Sequence, residues 1–208
     1  MASIDSVILE AADPAATTSF YTAAFGLGTE LGVRAASEAP TSGFRWFTLS
    51  LTVAQPANVN ALIDAALDAG AETVKPATKS FWGYGGVVRA PDGALWKVAT
   101  STKKDTGPAT REIDQFVLLL GVEDVLATKR FYVERGLKVG KSFGRKYVEF
   151  ATPSSAVKLA LYGRRALAKD AGVAPDGTGS HRLTIAGDAG PFTDPDGFAW
   201  EKGETASQ

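Results

Sequence analysis

An internal repeat constrains the fold of this chain more than any other feature of its sequence. A Phe-Tyr pair occurs at 20–21 and again at 131–132, 111 residues later, and a Gly-Leu pair follows each. A Pro-Asp-Gly turn that leads to a Trp occurs at 91–93 and again at 195–197, 104 residues later. The repeat predicts two related copies, residues 1–100 and 111–208, joined by a polar linker.

Each copy has the pattern of a strand, a helix and several further strands. Asp13 is a good helix N-cap before Pro14, and Asn58 is a candidate cap for a second helix. The apolar stripe of that second helix is Val59, Leu62, Ile63, Ala66 and Leu67. The runs 47–53, 84–89, 147–150 and 157–162 have the pattern of strands. The predicted class is therefore α+β, with repeated βαβββ modules rather than a doubly wound parallel sheet.

The composition excludes several kinds of site. The 208 residues contain no cysteine, which rules out thiol catalysis, disulfides and cysteine-ligated zinc, and the single histidine, His181, cannot make a His-rich metal site. Lys and Arg number 22 against 23 Asp and Glu, a balance that argues against nucleic acid as a partner. We find no bilayer-length apolar run and no signal-peptide pattern, so we expect a cytoplasmic protein with no membrane partner.

These motifs, in this order, resemble the glyoxalase/bleomycin-resistance/extradiol-dioxygenase superfamily, also called vicinal oxygen chelate proteins. The matching pieces are the strand–Asp–helix units, the segment from Lys75 to Gly86 that contains Phe81-Trp82-Gly83-Tyr84, and the Pro-Asp-Gly…Trp turns. The resemblance implies two degenerate fused copies whose βαβββ modules form a curled antiparallel or mixed sheet cup, with helices outside and a small ligand or metal inside.

The spacing of the motifs departs from two complete copies. The first module of copy 1 and the last module of copy 2 are each too short, which leaves 44–100 and 111–162 as the complete ones. We therefore expect the two central modules to form the complete cup, and the terminal pieces 1–35 and 180–201 to pair with each other. The alternative is a domain-swapped dimer, so the expected state is a monomer or a homodimer.

The resemblance also implies where a metal would bind. In metal-dependent relatives the ligands are His, Gln or Glu near the starts of modules and Glu near their ends. The matching positions here are Ser6, Thr48 and Val117 for first strands, and Lys97, Leu159 and Glu201 for later strands. His181 and Glu201 are thus the weak metal candidates, with Glu10 as a third ligand in phase with Ser6. No metal is favoured, because Lys97 would repel a cation; the bland interpretation of His181 is a strand-edge side chain bonded to the main chain.

The predicted ligand contacts are aromatic rings and hydroxyls. Phe81, Trp82 and Tyr84, interleaved with glycines, suit a planar molecule, although their rings could instead fill the core. The remaining candidates are Thr48, Ser50, Lys97 and Tyr147. Glu149, beside Tyr147 on one strand face, and Glu10 are weak candidates for a catalytic carboxylate, and Glu149 could pair with Lys158.

The sequence favours a protein that binds a small aromatic or amphipathic molecule in a metal-free cup. The alternative is a metal-dependent lyase, isomerase or dioxygenase of the same superfamily that uses His181 and Glu201. A third interpretation is a cup filled by side chains, with function on the outer surface. Whether the protein is an enzyme is left open by the residues alone.

Overall fold

The fold is described here from a computed structural model, which describes residues 2–203. The elements in chain order are β1 (Ile4–Ala11), α1 (Pro14–Phe25), β2 (Leu31–Ala35), β3 (Thr41–Gly43), β4 (Phe47–Thr52), α2 (Pro56–Asp68), β5 (Glu72–Ser80), β6 (Gly83–Arg89), β7 (Leu95–Thr100), β8 (Gln115–Val122), α3 (Val125–Glu134), β9 (Lys138–Ser142), β10 (Tyr147–Ala151), β11 (Val157–Gly163), α4 (Arg164–Ala171), β12 (Gly177–Gly179), β13 (Leu183–Gly187), β14 (Phe192–Thr193) and β15 (Ala199–Lys202). The α+β class is confirmed.

The strands of residues 2–203 form an eight-stranded mixed sheet, a five-stranded sheet and a short two-stranded pair. The eight-stranded sheet has the order β5-β6-β7-β4-β8-β11-β10-β9, so 47–100 and 115–163 contribute four strands each. In both halves the first strand pairs in parallel with the last, and the halves join where β4 runs antiparallel to β8. The two halves are therefore copies of one βαβββ unit, arranged about a pseudo-two-fold axis between β4 and β8.

The two ends of the chain share the five-stranded sheet, in the order β14-β15-β13-β1-β2. β1 runs antiparallel to β13, while β1–β2 and β13–β15 are parallel pairs. The smaller sheet thus repeats, with fewer strands, the arrangement of the larger one, in which an antiparallel central pair is flanked on each side by a parallel pair. Only three residues separate β3 from β4, and β3 pairs with β12 near the start of the C-terminal strands.

One hydrophobic core lies between the sheets and the helices. It combines alternate residues of both sheets, such as Leu49 and Leu118 from the larger and Val7 and Ile185 from the smaller, all fully buried. Because the burial of apolar surface drives folding, this shared core makes the two sheets one folding unit.

The second helix starts before its predicted cap. α2 begins at Pro56 after Gln55, and Asn58 is buried within its first turn. Asn58 accepts a hydrogen bond from the Thr110 amide and donates to the Thr110 hydroxyl, while Gln55 contacts Thr106, Gly107 and Pro108. The two amides are therefore used to hold the polar linker against α2, which sequence spacing could not reveal.

The repeated motifs meet in a buried hydrogen-bonded trio, which we call the Tyr–Asp–Trp latch. In the first latch Tyr21 of α1 donates to Asp92 (2.9 Å) and accepts from Trp96 Nε1 (3.2 Å). In the second, Tyr132 of α3 donates to Asp194 (2.7 Å) and accepts from Trp200 Nε1 (3.1 Å). Each latch joins a helix of one module to the last strands of the next.

The tyrosines of both latches have perturbed acidity. Burial raises the pKa of Tyr21 and of Tyr132 well above the ordinary value of 10.0, and the neighbouring Asp92 or Asp194 carboxylate raises it further. Burial likewise raises the pKa of Asp194, and the Tyr132 hydrogen bond partly opposes that effect.

Removal of one latch hydroxyl should destabilise the fold. Tyr132→Phe leaves the Oδ2 atom of buried Asp194 and the Trp200 indole N–H without these hydrogen bonds, while Oδ1 keeps the Asp196 and Phe198 amides. We therefore expect the free energy of unfolding in urea to fall by about 1–3 kcal/mol. Tyr84→Phe, whose hydroxyl bonds an exposed Asn60, is the matched control and should change it by less than about 0.5 kcal/mol. Equal effects of the two variants would contradict this role for the latch.

The raised tyrosine pKa values predict a loss of stability in alkali. Above about pH 10 an unfolded chain releases its tyrosine protons while the folded protein retains those of Tyr21 and Tyr132, so the free energy of unfolding should fall as the pH rises. The decline should be shallower in Tyr132→Phe, in urea titrations between pH 9 and 11. The same slope in both proteins would contradict the assignment.

Candidate functional site

Alternation along the strands gives the eight-stranded sheet two different faces. On β4, Leu49 and Leu51 point into the main core, so Thr48 and Ser50 point to the opposite side. This opposite side, which we call the α4 face, is partly covered by α4. Four of the six glyoxalase-type site positions predicted above lie on strands of this sheet, so its α4 face is the candidate site.

α4 is held on this face by apolar contacts and by ion pairs at both ends. Leu167, Ala168 and Ala171 are buried against a small cluster that contains Phe44 and Leu95. At the C-terminal end Asp170 pairs with Lys97 at 2.6 Å. Two cavities open near the C-terminal end of α4, and they have no lining residue in common.

Arg164 anchors the other end of α4. Its guanidinium lies 3.4 Å from the Trp46 ring centroid and 3.5 Å from a carboxylate oxygen of Asp196. Trp46 and Asp196 come to Arg164 from distant parts of the chain, so its guanidinium is held between an aromatic ring and a carboxylate.

Strand register places two lysines symmetrically on the α4 face. In the central pair of strands, Ser50 on β4 lies opposite Val117 on β8. Lys97 on β7 flanks Ser50, and Lys158 on β11 flanks Val117. Ser50, and not Thr48, is therefore the partner of Val117.

The same register corrects a second predicted position. Lys158 is the counterpart of Lys97 across the pseudo-two-fold axis. Leu159 instead points into the main core and is fully buried. The predicted position was one residue off, and a shift of one residue moves a strand side chain to the other face.

The cavity beside Lys97, which we call the lysine cavity, has a volume of about 220 Å³. Lys97 and Lys75 both reach Asp170: the Lys97 ammonium contacts its carboxylate, and the Lys75 ammonium donates to its main-chain oxygen at 2.9 Å. Two ammonium groups against one carboxylate give the cavity wall an excess of positive charge. Ser80 and Thr100, which carry hydroxyl groups, also line the cavity.

Glycines let the main chain of β6 come close to its neighbours at this cavity. A Cβ on Gly83 would lie 2.0 Å from the Thr100 carbonyl, and one on Gly85 would lie 2.8 Å from the Val98 carbonyl. Gly83 also has a φ of +141°, which favours glycine. The glycines predicted to permit close approach therefore serve strand packing at the cavity.

The predicted aromatic contacts separate in the structure. Trp82 and Tyr84 belong to the lining of the lysine cavity, and the Tyr84 hydroxyl donates to Asn60 on α2 at 2.8 Å. Phe81 and Trp82 lie at the tip of the β5–β6 hairpin with 81% and 82% of their surface exposed, so these rings are not core.

The other predicted contacts lie on the α4 face but away from the lysine cavity. Thr48 and Ser50 are buried there. Tyr147 and Glu149 lie together on β10, where the Tyr147 hydroxyl donates to Glu149 at 2.9 Å. Burial, followed by this hydrogen bond, raises the pKa of Tyr147. Glu149 pairs with Lys141 at 3.9 Å and not with Lys158.

The five-stranded sheet carries the predicted carboxylates, and an arginine lies between them. Arg34 on β2 contacts Glu201 at 3.0 Å and Glu10 at 3.4 Å, and it also donates to the Thr184 hydroxyl. Arg182 lies 3.9 Å from the other Glu10 oxygen. The guanidinium of Arg34 thus occupies the position where a cation bound by Glu10 and Glu201 would lie.

His181 is engaged through both ring nitrogens. Nδ1 lies 3.0 Å from the Arg45 carbonyl oxygen and Nε2 lies 3.0 Å from the Asp196 carbonyl oxygen. Carbonyl oxygens only accept, so both contacts are hydrogen bonds only when each nitrogen carries a proton, and no lone pair then points to a metal. The ring also stacks on Phe198 at 4.1 Å.

Two residues next to His181, one in space and one in sequence, have a strained backbone. Trp46, whose ring lies 5.1 Å from His181, has a φ of +65°, and Arg182 has a φ of +56°. Such left-handed conformations are uncommon outside glycine and are kept only where the surroundings enforce them.

These contacts show whether the residues present could bind the metal that the resemblance implies. Among residues 2–203 no three or more His, Asp or Glu side chains come together as a metal site. On the larger sheet the relevant register positions are held by Lys97, Ser50, Val117 and Lys158, and two ammonium groups do not ligate a divalent cation while protonated. The donor sets of both sheets therefore do not fit the metal.

Comparison with solved structures identifies the fold. Glyoxalase I from Zea mays superposes with a TM-score of 0.61 at 14% identity, over 96% of this chain and 91% of that chain. The chain has the glyoxalase fold. A putative dioxygenase from Bacillus subtilis superposes with a TM-score of 0.52 at 11% identity, over 88% of this chain and 69% of that one. A scan against protein-family models and a search of the curated proteins found no match.

Within residues 2–203 no helix has both the length and the apolarity needed to cross a bilayer.

Replacement of Arg34 tests its role as the cation between the two carboxylates. Arg34→Met should lower the free energy of unfolding by about 1 kcal/mol, because Glu10, whose side chain is 14% exposed, loses a charged partner. In a double-mutant cycle with Glu10→Gln the same replacement should cost less than half as much, since the carboxylate is already gone. Strict additivity would contradict the pairing, and Arg165→Met, at an exposed position, is the control.

Proposed function

We propose that this protein binds a small amphipathic molecule, a planar or apolar body that carries an acidic group, in the lysine cavity of a metal-free cup. The observation that carries the proposal is the convergence of two lysine ammoniums, Lys75 and Lys97, on the single residue Asp170 at the cavity wall. A ligand carboxylate would replace or share the contact that Asp170 now makes with Lys97. Charge-assisted hydrogen bonds of this kind are about twice as strong as neutral ones.

The rest of the cavity wall supports a ligand that is polar at one end and flat at the other. Trp82 offers an exposed indole at the edge of the cavity, and the Lys103 ammonium lies 5.7 Å from the neighbouring Phe81 ring. Aromatic faces suit stacking against a planar body, and hydroxyls of Ser80 and Thr100 suit polar substituents. The modest volume, about 220 Å³, lies below the usual 300–1,000 Å³ range of drug-sized ligands and favours a small molecule.

The proposal has no place for a divalent cation at the ligand. The ammonium of Lys97 lies at the strand position from which the resemblance would have a metal ligand project, and it would repel the ion. Binding by Lys97 and the rings supports a sequestration or resistance-type role over a metal-dependent lyase, isomerase or dioxygenase. We expect the protein to be cytoplasmic and to be a monomer or a homodimer.

A binding experiment with one charged and one neutral probe tests the lysine. We expect calorimetric titration to show that 2-naphthoate binds and that 2-naphthol binds at least tenfold more weakly, since about 1.4 kcal/mol corresponds to a factor of ten. Lys97→Met should weaken 2-naphthoate at least tenfold, whereas Lys158→Met, the counterpart across the pseudo-two-fold axis, should leave it within twofold. Equal loss in both variants, or equal affinity for both probes, would contradict the proposal.

The exposed aromatics offer a second matched pair. Trp82→Ala should weaken 2-naphthoate several-fold, because stacking surface at the cavity edge is lost. Phe143→Ala removes a ring that is 65% exposed on the corresponding hairpin of the other half and should have no effect. Stoichiometric zinc, nickel, iron or manganese in protein purified without chelator would refute the metal-free part of the proposal.

A further inference from the structure

A second cavity, which has no lining residue in common with the lysine cavity, contains two arginines in its wall. This arginine cavity has a volume of about 390 Å³, within the usual range for small-molecule sites. Phe44, Leu95 and Val173 supply an apolar part of the lining, next to the cluster that seats α4. None of the residues singled out by the sequence for ligand binding belongs to this lining.

Arg45 forms no ion pair within 4.0 Å in the described part of the chain. Its Nη2 donates to the main-chain oxygen of Asp92 at 2.6 Å, whereas its Nη1 is buried with no hydrogen-bond partner. The Asp92 carboxylate is already engaged by the Tyr21 hydroxyl and the Ala94 amide. A desolvated guanidinium without a carboxylate partner is costly, and burial accordingly lowers the pKa of Arg45.

Arg89 adds a second cation to the same wall. It ends β6, is exposed, and, like Arg45, has no carboxylate within 4.0 Å among the described residues. The acidic residue of the lining is Asp176, so two guanidiniums face one carboxylate. Thr41 and Ser42 add hydroxyl groups. The cavity therefore combines an apolar wall with excess positive charge.

From these contacts we propose that the arginine cavity is a second binding site, which takes an amphipathic anion. The carboxylate of the ligand is held by Arg45 and Arg89, and its short alkyl or aryl body lies against Phe44, Leu95 and Val173. Arginine suits this task because its planar fork matches a carboxylate in two parallel hydrogen bonds. The inference is independent of the lysine cavity, because the two cavities have no lining residue in common.

Titration with octanoate tests the site. Two control probes separate its features: 1-octanol has the same alkyl chain without a charge, and inorganic phosphate has a negative charge without an alkyl chain. Octanoate should bind at least tenfold more tightly than either. Arg89→Met, at an exposed position that is tolerant of change, should weaken octanoate at least fivefold, and Arg45→Met should weaken it further. Arg165→Met, an exposed arginine of α4 outside this lining, should leave the affinity unchanged.

Each outcome separates this site from the lysine cavity. Loss of octanoate binding in Arg89→Met with full binding in Lys97→Met supports the second site, whether or not 2-naphthoate binds. Loss in Lys97→Met alone, or equal affinity in wild type, Arg89→Met and Arg165→Met, overturns it, as does the absence of octanoate binding at millimolar concentration. Should Arg45→Met fail to fold, Arg89→Met alone decides the result.

Discussion

The Tyr–Asp–Trp latch is the interaction on which the arrangement of modules depends. Two sheet joins connect modules edge to edge, β4 with β8 and β1 with β13, but neither holds one sheet over the other. The latches do so, because Tyr21 ties a helix beside the smaller sheet to a strand of the larger, and Tyr132 ties a helix of the larger half to the last strands of the smaller. Buried and fully hydrogen-bonded, such a network fixes a unique packing that apolar contacts alone would leave loose.

The two latches are not identical, and the difference frees a carboxylate. In the first copy, Asp92 of the Pro-Asp-Gly turn bonds the tyrosine. In the second copy Asp194, two residues earlier, does so, and Asp196 of the turn is left for other partners. Asp196 accepts from the Glu123 amide and the Thr128 hydroxyl and lies near Arg164. The shortened last module thereby anchors the start of α4, and Asp170 of that helix belongs to the lining of the lysine cavity.

Sequence predicted the parts of the fold that depend on local pattern. The repeat, the apolar stripe from Val59 to Leu67 and the strand runs indicated α+β modules and a glyoxalase-like resemblance, which the structural comparison confirms. Helix and strand periodicity, and turn chemistry, act over a few residues and leave a visible signal. The start of α2 was missed because Gln55 and Asn58 are used for contacts with a linker 51 to 53 residues away.

The candidate site was less accessible to sequence, because its chemistry arises from contacts over long separations. Lys97 was expected to disfavour a cation on its strand, but the sequence could not show its partner Asp170, which lies 73 residues away, and Arg34 and Glu201 are 167 residues apart. A pattern of residues shows which side chains exist, but charge neutralisation depends on which of them meet. The two sheets illustrate this: Glu10 and Glu201 of the smaller sheet both form ion pairs with Arg34, whereas the cations in the linings of the two cavities of the larger sheet outnumber the carboxylates there. Under the proposals made above, an anion would gain more from the α4 face than from the smaller sheet, because of this imbalance of charge rather than because of any single motif.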